Sequence, residues 1–393
     1  MILILFLILL EVVTILVLKE RFYKDSPNKF WLSVVIHSFL SIYIWYLLFR
    51  ILFYHGEFDT PENIWQRTNM MGVIIAVIIP RIMLFVFHYT GKIIRIIQKG
   101  YVKFLTDSGL VICAVILIII SIGTFYSRNN FRVEKIEIRI SGLNPDLNGL
   151  KIAQISDLHL SSYHKRMQQL EKAINVINAL DPDIIINTGD FVTYGAGEYG
   201  NCDTTLVKQK SRFGNYAVLG NHDMGTYMPQ KTTTWVNENQ NKLNRLIAKS
   251  GYLLLADTNK IIKIKNAEVA LIGVTTAGRY PDIKHGDVRK AMEGIESSDF
   301  RILLAHDPNQ WEEDVSGKTN IDLTLSGHTH GMQFGIITKN FRWSPSKYIY
   351  SHWNGLYSSG NQYHYVNRGL GLLAIPFRIW MPPEITLLIL KSE

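Results

Sequence analysis

The chain has 393 residues, of which 47% are hydrophobic and 11% aromatic, and its formal net charge is +8 at pH 7. A basic chain of this size can bind nucleic acid, but no arginine-rich stripe with interleaved aromatic residues is present, so nucleic acid is not expected as a partner. The basic residues concentrate in and just after the connections between long apolar segments, where membrane lipids with anionic headgroups account for them better.

The first third of the chain contains four apolar runs, each near the length that a helix needs to cross a hydrocarbon core. The runs are residues 1–18, 30–54, 70–89 and 109–126. They are rich in Ile, Leu and Val and show almost no polar periodicity, which disfavours buried helices of a soluble domain. No basic residue precedes the first run and no small-residue cleavage site follows it, as a signal peptide would require. Residues 1–126 are therefore predicted to form four transmembrane helices.

Basic residues are distributed unevenly among the connections between these runs. The first connection contains Lys19, Arg21, Lys24 and Lys29, the third contains Lys92, Arg95, Lys99 and Lys103, and the second contains Arg67 alone. This excess of positive charge places the first and third connections inside the cell, and the amino terminus and the globular domain then face outside. The basic segment 128–139 argues for the opposite orientation, but large domains cross regardless of flanking charge. We predict a multi-pass cell membrane protein with an extracytoplasmic globular domain.

Two ionisable residues, Glu11 and Arg81, lie near the middle of the first and third runs. The predicted topology places them at similar depth, so we expect an ion pair within the membrane. Ionisable groups at that depth are costly and face a partner or a wet cavity. The pair is consistent with a structural role or with a role in transport or signalling.

A polar stretch, residues 127–132, is predicted to link the anchor to a domain that spans residues 133–393. Strand-like and helix-like segments alternate in this domain. The predicted strands are 135–140, 151–155, 183–187, 216–219, 261–265, 268–273, 301–304 and 323–325, and the predicted helices are 166–180, 233–249 and 288–295. This alternation predicts an α/β fold with a layered sheet core. Cys113 and Cys202 are not expected to pair, because one lies in an apolar run and the other in this domain.

Five short polar segments follow predicted strands of the domain. They are Asp157-Leu158-His159, Gly189-Asp190, Gly220-Asn221-His222-Asp223, Ala305-His306-Asp307 and Gly327-His328-Thr329-His330. Ligands of open α/β sheets collect beyond the carboxyl ends of strands, so these segments are expected to meet at one sheet edge. They offer carboxylate, amide oxygen and imidazole donors and no thiolate. The set predicts a hydrolytic site with two divalent ions, chosen from manganese, iron, zinc and cobalt, that acts on phosphate esters.

The five segments resemble those of the calcineurin-like metallophosphoesterase superfamily, from about Leu150 to the end of the chain and not in the predicted anchor. Flanking segments are similar to the membrane-associated bacterial phosphodiesterase branch, namely Leu150-Lys151-Ile152-Ala153-Gln154-Ile155-Ser156, Gly331-Met332-Gln333, Gly369-Leu370-Gly371 and Pro382-Pro383-Glu384. The resemblance implies a layered α/β/β/α sandwich after the four-helix anchor. It also implies a hydroxide shared by the two ions as the nucleophile.

The resemblance implies the ligands of each ion. One ion is expected on Asp157, His159, Asp190 and His330, and the other on Asp190, Asn221, His306 and His328, with Asp190 bridging the two. His222 follows Asn221, and we expect it to protonate the leaving oxygen. Asp223 is expected to hold the imidazole of His222 in position.

The substrate is less constrained than the metal site. Arg279 and Asn309 are candidates to touch it, while the stretch Val274-Thr275-Thr276-Ala277-Gly278 lacks the aspartate that many members of this branch carry there. Aromatic residues crowd the stretch 343–357 and the segment 375–380, which suits either a lipid-linked substrate or plain core packing.

We predict hydrolysis of a phosphodiester or a pyrophosphate, on a soluble or a lipid-linked substrate. Two alternatives are a phosphomonoesterase with the same site and a non-catalytic membrane sensor or transport-linked protein that binds a phosphorylated ligand. Turnover of variants at Asn221 or His222 would separate an enzyme from a binding protein.

Overall fold

The computed structural model describes residues 2–54, 56–97, 101–229, 231–275, 286–338 and 341–393. The chain forms two compact units. The second unit comprises Glu57–Gln66, Tyr126–Leu373 and Arg378–Glu393, and the first comprises the remaining N-terminal helices with Ala374–Phe377. The predicted domain limits, 1–126, 127–132 and 133–393, stay a prediction.

The first unit is built from long apolar helices. They are α1 (Ile2–Phe22), α2 (Pro27–Leu52), α3 (Pro61–Ile97) and α4 (Tyr101–Phe125). Proline begins α2 and α3, where its missing N–H removes no helical hydrogen bond. Pro80 lies inside α3, and its carbonyl accepts a hydrogen bond from the Cys113 thiol of α4, with 3.0 Å between Sγ and oxygen.

Three helices of the described chain are long and apolar enough to cross a membrane, and they correspond to α2, α3 and α4. The prediction of four spans was therefore wrong for the first run. Its helix, α1, forms as expected but contains Glu11 and ends in Lys19, Glu20 and Arg21, so its uninterrupted apolar stretch is short. Charged residues at that spacing offset the favourable transfer of the surrounding Ile and Leu side chains into lipid.

Glu11 and Arg81 form the predicted ion pair, with 2.6 Å between Oε1 and Nη1. Ser41 of α2 joins the pair, because its hydroxyl donates to Glu11 and accepts from Arg81 at 2.9 Å. His37 Nε2 lies 2.9 Å from the same carboxylate. This polar network ties α1 to α2 and α3, so the prediction of a partnered charge is confirmed and buried polar groups are compensated.

The second unit contains two six-stranded mixed sheets and a short hairpin. Its strands are β1 (Arg132–Ile140), β2 (Lys151–Ile155), β3 (Ile184–Asn187), β4 (Asn215–Ala217), β5 (Tyr252–Leu254), β6 (Thr258–Ile264), β7 (Ala267–Gly273), β8 (Phe300–Leu304), β9 (Leu323–Ser326), β10 (Ile336–Ile337), β11 (Arg342–Trp343), β12 (Gly355–Ser359), β13 (Gln362–Val366) and β14 (Glu384–Ser392). The first sheet has the order β1-β14-β2-β3-β4-β5, and the second β12-β13-β9-β8-β7-β6. Strands β2 to β5 are parallel, as are β7, β8, β9 and β13.

The two sheets pack face to face, and helices cover their outer faces. The helices are α5 (Met167–Ala179), α6 (Asp203–Leu206), α7 (Thr233–Lys249) and α8 (Val288–Ala291). Alternating residues such as Ile184 and Ile186 of β3 point towards Leu271 and Ile302 in the inter-sheet core. The residue between them, Ile185, faces outward and joins a second core with α5 and α7. The predicted α/β layered sandwich is thus confirmed, with two sheets in its centre.

Candidate metal centre

The seven predicted metal ligands all lie at one edge of the sandwich. Residues 157, 159, 190 and 221 follow β2, β3 and β4 of the first sheet, and residues 306, 328 and 330 follow β8 and β9 of the second. Because the carboxyl ends of parallel strands share an edge, each sheet directs its loops to the same place. The geometry brings together two groups that can each hold an ion, Asp157 with His159 and His330, and Asp190 with His306 and His328.

In the first group, nitrogen and oxygen donors face one another across a small gap. His159 Nε2 lies 3.1 Å from His330 Nε2, and His330 Nε2 lies 3.3 Å from Asp157 Oδ1. All three side chains are almost fully buried. Two imidazole nitrogens that face each other at this distance need a proton or a cation between them, since two lone pairs repel.

In the second group, His328 Nδ1 lies 3.2 Å from His306 Nε2, and His306 Nε2 lies 3.0 Å from Asp190 Oδ2. The same Asp190 oxygen lies 3.8 Å from His159 Nε2 of the first group. Asp190 therefore stands between the two groups, where a bridging carboxylate would be needed.

The predicted ligand Asn221 precedes His222, whose backbone N–H donates to Asp190 Oδ1 at 2.9 Å. The side-chain amide nitrogen of Asn221 donates to the hydroxyl of Tyr227 at 2.8 Å, which orients the amide. Its Oδ1 is buried and has no hydrogen-bond partner among the described residues. A buried acceptor without a partner is costly. The orphaned oxygen and the facing imidazoles are consistent with divalent ions at the two groups, and Asn221 as a fourth donor of the second group stays a prediction.

Backbone strain accompanies the ligands. Five of them adopt positive φ angles, which non-glycine residues seldom do: Asp157 (50°), His159 (39°), Asp190 (57°), His328 (71°) and His330 (49°). Such conformations cost free energy and persist where the surrounding structure holds them. Gly189, at φ 102°, makes the exit from β3 possible, because an added Cβ would lie 2.5 Å from the backbone nitrogen of Gly220.

Electrostatic interactions between neighbouring side chains shift the pKa values of several residues of the site. Burial opposes ionisation of Asp190, yet the neighbouring His306 and His222 hold the pKa of its carboxyl well below the usual range. Burial disfavours the cationic form of His306, but the carboxylates of Asp190 and Asp157 raise its pKa to about 10. Burial and the charge of His306 lower the pKa of His328 to about 4. A cation that binds at this group would compete with the proton on His306.

His222 and Asp223 each make hydrogen bonds with the backbone of neighbouring loops. His222 Nδ1 faces the Thr193 carbonyl at 2.8 Å, and its ring stacks on Tyr227 with 4.1 Å between centroids. The Asp223 carboxylate accepts hydrogen bonds from the backbone N–H groups of Asp190, Val192 and Gly220 at 2.8 to 3.1 Å. Asp223 thus holds the loop that carries Asp190, and its expected role in orienting the imidazole of His222 stays a prediction. Burial and the charge of Asp190 raise the pKa of Asp223 to about 8.

Sequence reasoning missed the residues that orient the ligands. Thr193 Oγ1 lies 3.0 Å from His159 Nδ1, and the hydroxyl of Tyr350 lies 2.9 Å from His328 Nε2. Each contact occupies the ring nitrogen that points away from the facing imidazole, and so sets the tautomer and the direction of the ligand. The available signal was the position of Thr193, in the same short loop as Asp190.

Several other predicted residues lie elsewhere. Arg279 and most of the stretch 274–278 fall outside the described residues. Asn309 is half-buried next to Asp307, whose carboxylate accepts its backbone N–H at 2.9 Å. Among the aromatic residues, Trp353 is buried whereas Tyr348 is 73% exposed, so both core packing and exposure occur in this stretch.

Comparison with known proteins identifies the family. Residues 150–332 match the family model described as calcineurin-like phosphoesterase. The metallophosphoesterase YkuE of Bacillus subtilis is 34% identical over 275 residues, which cover 65% of this chain and 84% of the relative. The chain belongs to the calcineurin-like metallophosphoesterase family, and it is a metal-dependent phosphoesterase with a His and Asp metal-binding site.

Two further relatives extend the comparison. A protein of Danio rerio named transmembrane protein with metallophosphoesterase domain is 27% identical over 381 residues, which cover 94% of this chain and 76% of the relative. The UDP-2,3-diacylglucosamine pyrophosphatase LpxG of Chlamydia muridarum is 26% identical over 299 residues, which cover 66% of this chain and 89% of the relative. Because the alignment with the fish protein covers 94% of the chain, it includes most of the N-terminal helices. The resemblance found in the sequence began only at about Leu150.

Proposed function

We propose that this protein is a membrane-anchored phosphoesterase with a dinuclear metal centre, and that it hydrolyses a phosphodiester or a pyrophosphate on a lipid-linked substrate. The observation that carries the proposal is the position of Asp190, whose Oδ2 lies 3.0 Å from a nitrogen of one donor group and 3.8 Å from a nitrogen of the other. A site with a shared carboxylate is typical of two-ion phosphoryl chemistry. Manganese, iron, zinc and cobalt all suit these donors.

When bound, the two ions would polarise the phosphoryl group and lower the pKa of a water molecule. The chain supplies the remaining parts. Asp157, His159 and His330 would hold one ion and Asn221, His306 and His328 the other, with Asp190 shared. His222 would protonate the leaving oxygen through Nε2, because its Nδ1–H is donated to the Thr193 carbonyl at 2.8 Å. The buried setting excludes bulk water and strengthens these interactions.

An exposed apolar patch supports a lipid-linked substrate. Phe334, Phe341, Tyr348 and Trp380, which we call the aromatic patch, are 37%, 55%, 73% and 56% exposed. Phe334 lies four residues after the predicted ligand His330 in the chain. Its ring packs edge-on against Trp343, with 5.8 Å between the ring centroids. Exposed aromatic residues favour the headgroup region of a bilayer. The relative LpxG is named for a diacylated pyrophosphate, which is the class of substrate that such a patch would receive.

We also propose that the catalytic unit faces the extracytoplasmic side. The connection between α3 and α4 is rich in basic residues, which favours its location in the cytoplasm. Helix α4 then crosses the membrane to the extracytoplasmic side. The connection between α2 and α3 belongs to the same compact unit as the phosphoesterase domain, which supports a common side for both. This reasoning uses α2, α3 and α4 only, so it is independent of whether α1 crosses the membrane. A cytoplasm-only reporter that is active when joined after Tyr126 would contradict it.

The function is tested by hydrolysis assays on the detergent-purified full-length protein with manganese. The substrates are bis-(p-nitrophenyl) phosphate, p-nitrophenyl phosphate and a diacylated sugar nucleotide pyrophosphate in mixed micelles. We expect turnover of the diester and of the lipid pyrophosphate, abolished by Asp190→Asn. If the protein prefers the monoester, it is a phosphomonoesterase and the proposal is wrong. If it hydrolyses the soluble diester but not the lipid pyrophosphate, the proposal of a lipid-linked substrate is wrong.

A second variant addresses the aromatic patch. Trp380→Ala changes an exposed ring and leaves the metal donors untouched, so soluble diester turnover should stay within about twofold of wild type while KM for the micellar substrate rises about tenfold. Equal effects on both substrates would show that the patch has no role in lipid recognition.

A further inference from the structure

The connection between α2 and α3 folds onto the phosphoesterase domain as part of the same compact unit. We call residues Glu57–Gln66 the docked connection; they comprise the end of the connection proper and the first six residues of α3. The docked connection is internally ordered, because the buried Asn63 donates its side-chain amide to the Glu57 carbonyl at 2.8 Å. It includes the start of α3, a helix of 37 residues. Such a helix is about 55 Å long, which exceeds a hydrocarbon core of about 30 Å. Its first turns therefore have room to extend beyond the lipid.

The docked connection contacts the segment that follows the metal ligand His159. The Glu62 carboxylate lies 2.6 Å from His164 Nε2 and 2.7 Å from Lys165 Nζ. Lys165 also lies over the ring of Trp65, with 5.4 Å between Nζ and the centroid. His164 and Lys165 end the tight turn that begins at His159, so the connection holds the far end of that turn.

The docked connection also contacts the loop that carries Thr193. The Asp59 carboxylate accepts a hydrogen bond from the backbone N–H of Gly197 at 3.3 Å. The approach is so close that a Cβ added at Gly197 would lie 2.7 Å from the Asp59 carbonyl oxygen. Glycine at position 197 is thus required by the docking of the connection.

Glu198 follows Gly197 in the chain and links the docked connection to the loop beside the metal centre. Its buried carboxyl accepts the backbone N–H groups of Thr193 and Gly195 at 2.9 and 3.2 Å, and that of Tyr194. Thr193 in turn contacts both His159 and His222, through its hydroxyl at 3.0 Å and its carbonyl at 2.8 Å. A continuous chain of polar contacts therefore runs from the docked connection to a ligand and to the expected acid.

A cavity of about 600 Å³ lies where these elements meet. Pro61 of the docked connection forms part of its wall, together with the turn after His159 and the segment that begins at Glu198. Without the docked connection this cavity would be wider, and the turn after His159 and the segment that begins at Glu198 would each lose a packing partner.

We propose that Asp59 and Glu62 are positioning residues of the metal centre, so that the connection between two membrane helices sets the affinity for metal and the placement of His222. The inference rests on the proposed roles of His159 and His222. It gives the multi-helix anchor a function beyond attachment, because any shift of α2 or α3 relative to the domain acts on the two loops that the connection holds.

The test uses full-length protein in detergent with Glu62→Gln, Asp59→Asn and the double variant. The matched control is Glu171→Gln, which removes a surface ion pair of the same domain, 3.1 Å from Lys208 and outside this network. Hydrogen exchange of amides 193–198 is measured without metal, and manganese binding is measured by calorimetry. We expect about tenfold faster exchange in the double variant and an affinity for manganese about threefold to tenfold weaker, with the control unchanged.

Charge exchange distinguishes positioning from general damage. Glu62→Lys combined with Lys165→Glu reverses one ion pair, and it should recover at least half of the affinity that Glu62→Lys alone loses. The inference is overturned if the double variant has the same hydrogen exchange at amides 193–198 and the same affinity for manganese as the control. This holds even if wild type binds manganese and hydrolyses the diester. Absence of manganese binding and turnover in wild type would instead overturn the proposed function, while the exchange measurement still reports on the contact.

Discussion

Thr193 provides a sharp test of how the metal ligands are oriented. Replacement by valine keeps the shape of the side chain and the backbone carbonyl that binds His222, but removes the hydroxyl that lies 3.0 Å from His159 Nδ1. His159 is fully buried, so its Nδ1–H then has no acceptor when Nε2 binds a metal ion. A buried donor without a partner costs about 1 to 3 kcal/mol, and outer-shell partners of this kind change metal affinity by about 10-fold to 100-fold.

The assay is calorimetric titration of the metal-free protein with manganese, together with diester turnover at saturating metal. We expect Thr193→Val to weaken the affinity by about 10-fold to 100-fold, with kcat at saturating metal within about threefold of wild type. Thr193→Ser retains the hydroxyl and should bind manganese nearly as wild type does. A valine variant with wild-type affinity would refute the claim that the hydroxyl orients His159.

Three further predictions concern the site, pH and the core. Tyr350→Phe removes the hydroxyl that lies 2.9 Å from His328 Nε2 and should weaken metal affinity about tenfold in the same titration, whereas an unchanged affinity would show that His328 is held by other contacts. Burial raises the pKa of Glu198 to about 7 from 4.5, so the folded protein binds the proton more tightly than the unfolded chain. Stability should therefore fall as pH rises from about 4.5 to about 7, by up to about 3 kcal/mol, and Glu198→Gln should flatten this slope in thermal unfolding; an equal slope in both proteins would contradict the assignment. Leu271→Ala opens a cavity between the sheets and should lower the free energy of unfolding by about 2 to 5 kcal/mol in urea, with a loss below 1 kcal/mol contradicting close packing at that position.

Local sequence patterns were sufficient to predict the edge at which the site lies. The strands β2 and β3 and the helix α7 begin and end within a residue of their predicted limits, since apolar runs and helical periodicity are local signals. Asp157 and Asp190 follow those strands directly. The polar segments could therefore be placed at one edge without knowledge of the partners of each strand.

Sheet membership was not predictable in this way. Strand β14 pairs parallel with β1 and antiparallel with β2, although it lies more than 200 residues away from both, and β13 joins the second sheet beside β9. No short pattern specifies such long-range pairing, which depends on which faces are covered. The alternation of segments predicted only a layered sheet core, and the two-sheet sandwich was expected from the family resemblance alone.

The partners of the ligands also escaped prediction, for a different reason. Thr193 and Tyr227 have no characteristic spacing from the residues they orient, and their contacts exist only after the strand ends have met. The hydrogen bonds from three backbone N–H groups to the Asp223 carboxylate were not predictable either, because they depend on the turn that follows β4. The length of the apolar run likewise led to the prediction of α1 as a span, which was wrong.

The most direct test of the dinuclear centre is the stoichiometry of manganese binding to the metal-free full-length protein, measured by calorimetry for wild type and for Asp190→Asn. Because the Asp190 carboxylate stands between the two donor groups, wild type should bind two ions per chain, and the variant should bind at most one, with much lower affinity. One ion or none in wild type, or equal binding by both proteins, would contradict a centre built around a shared carboxylate.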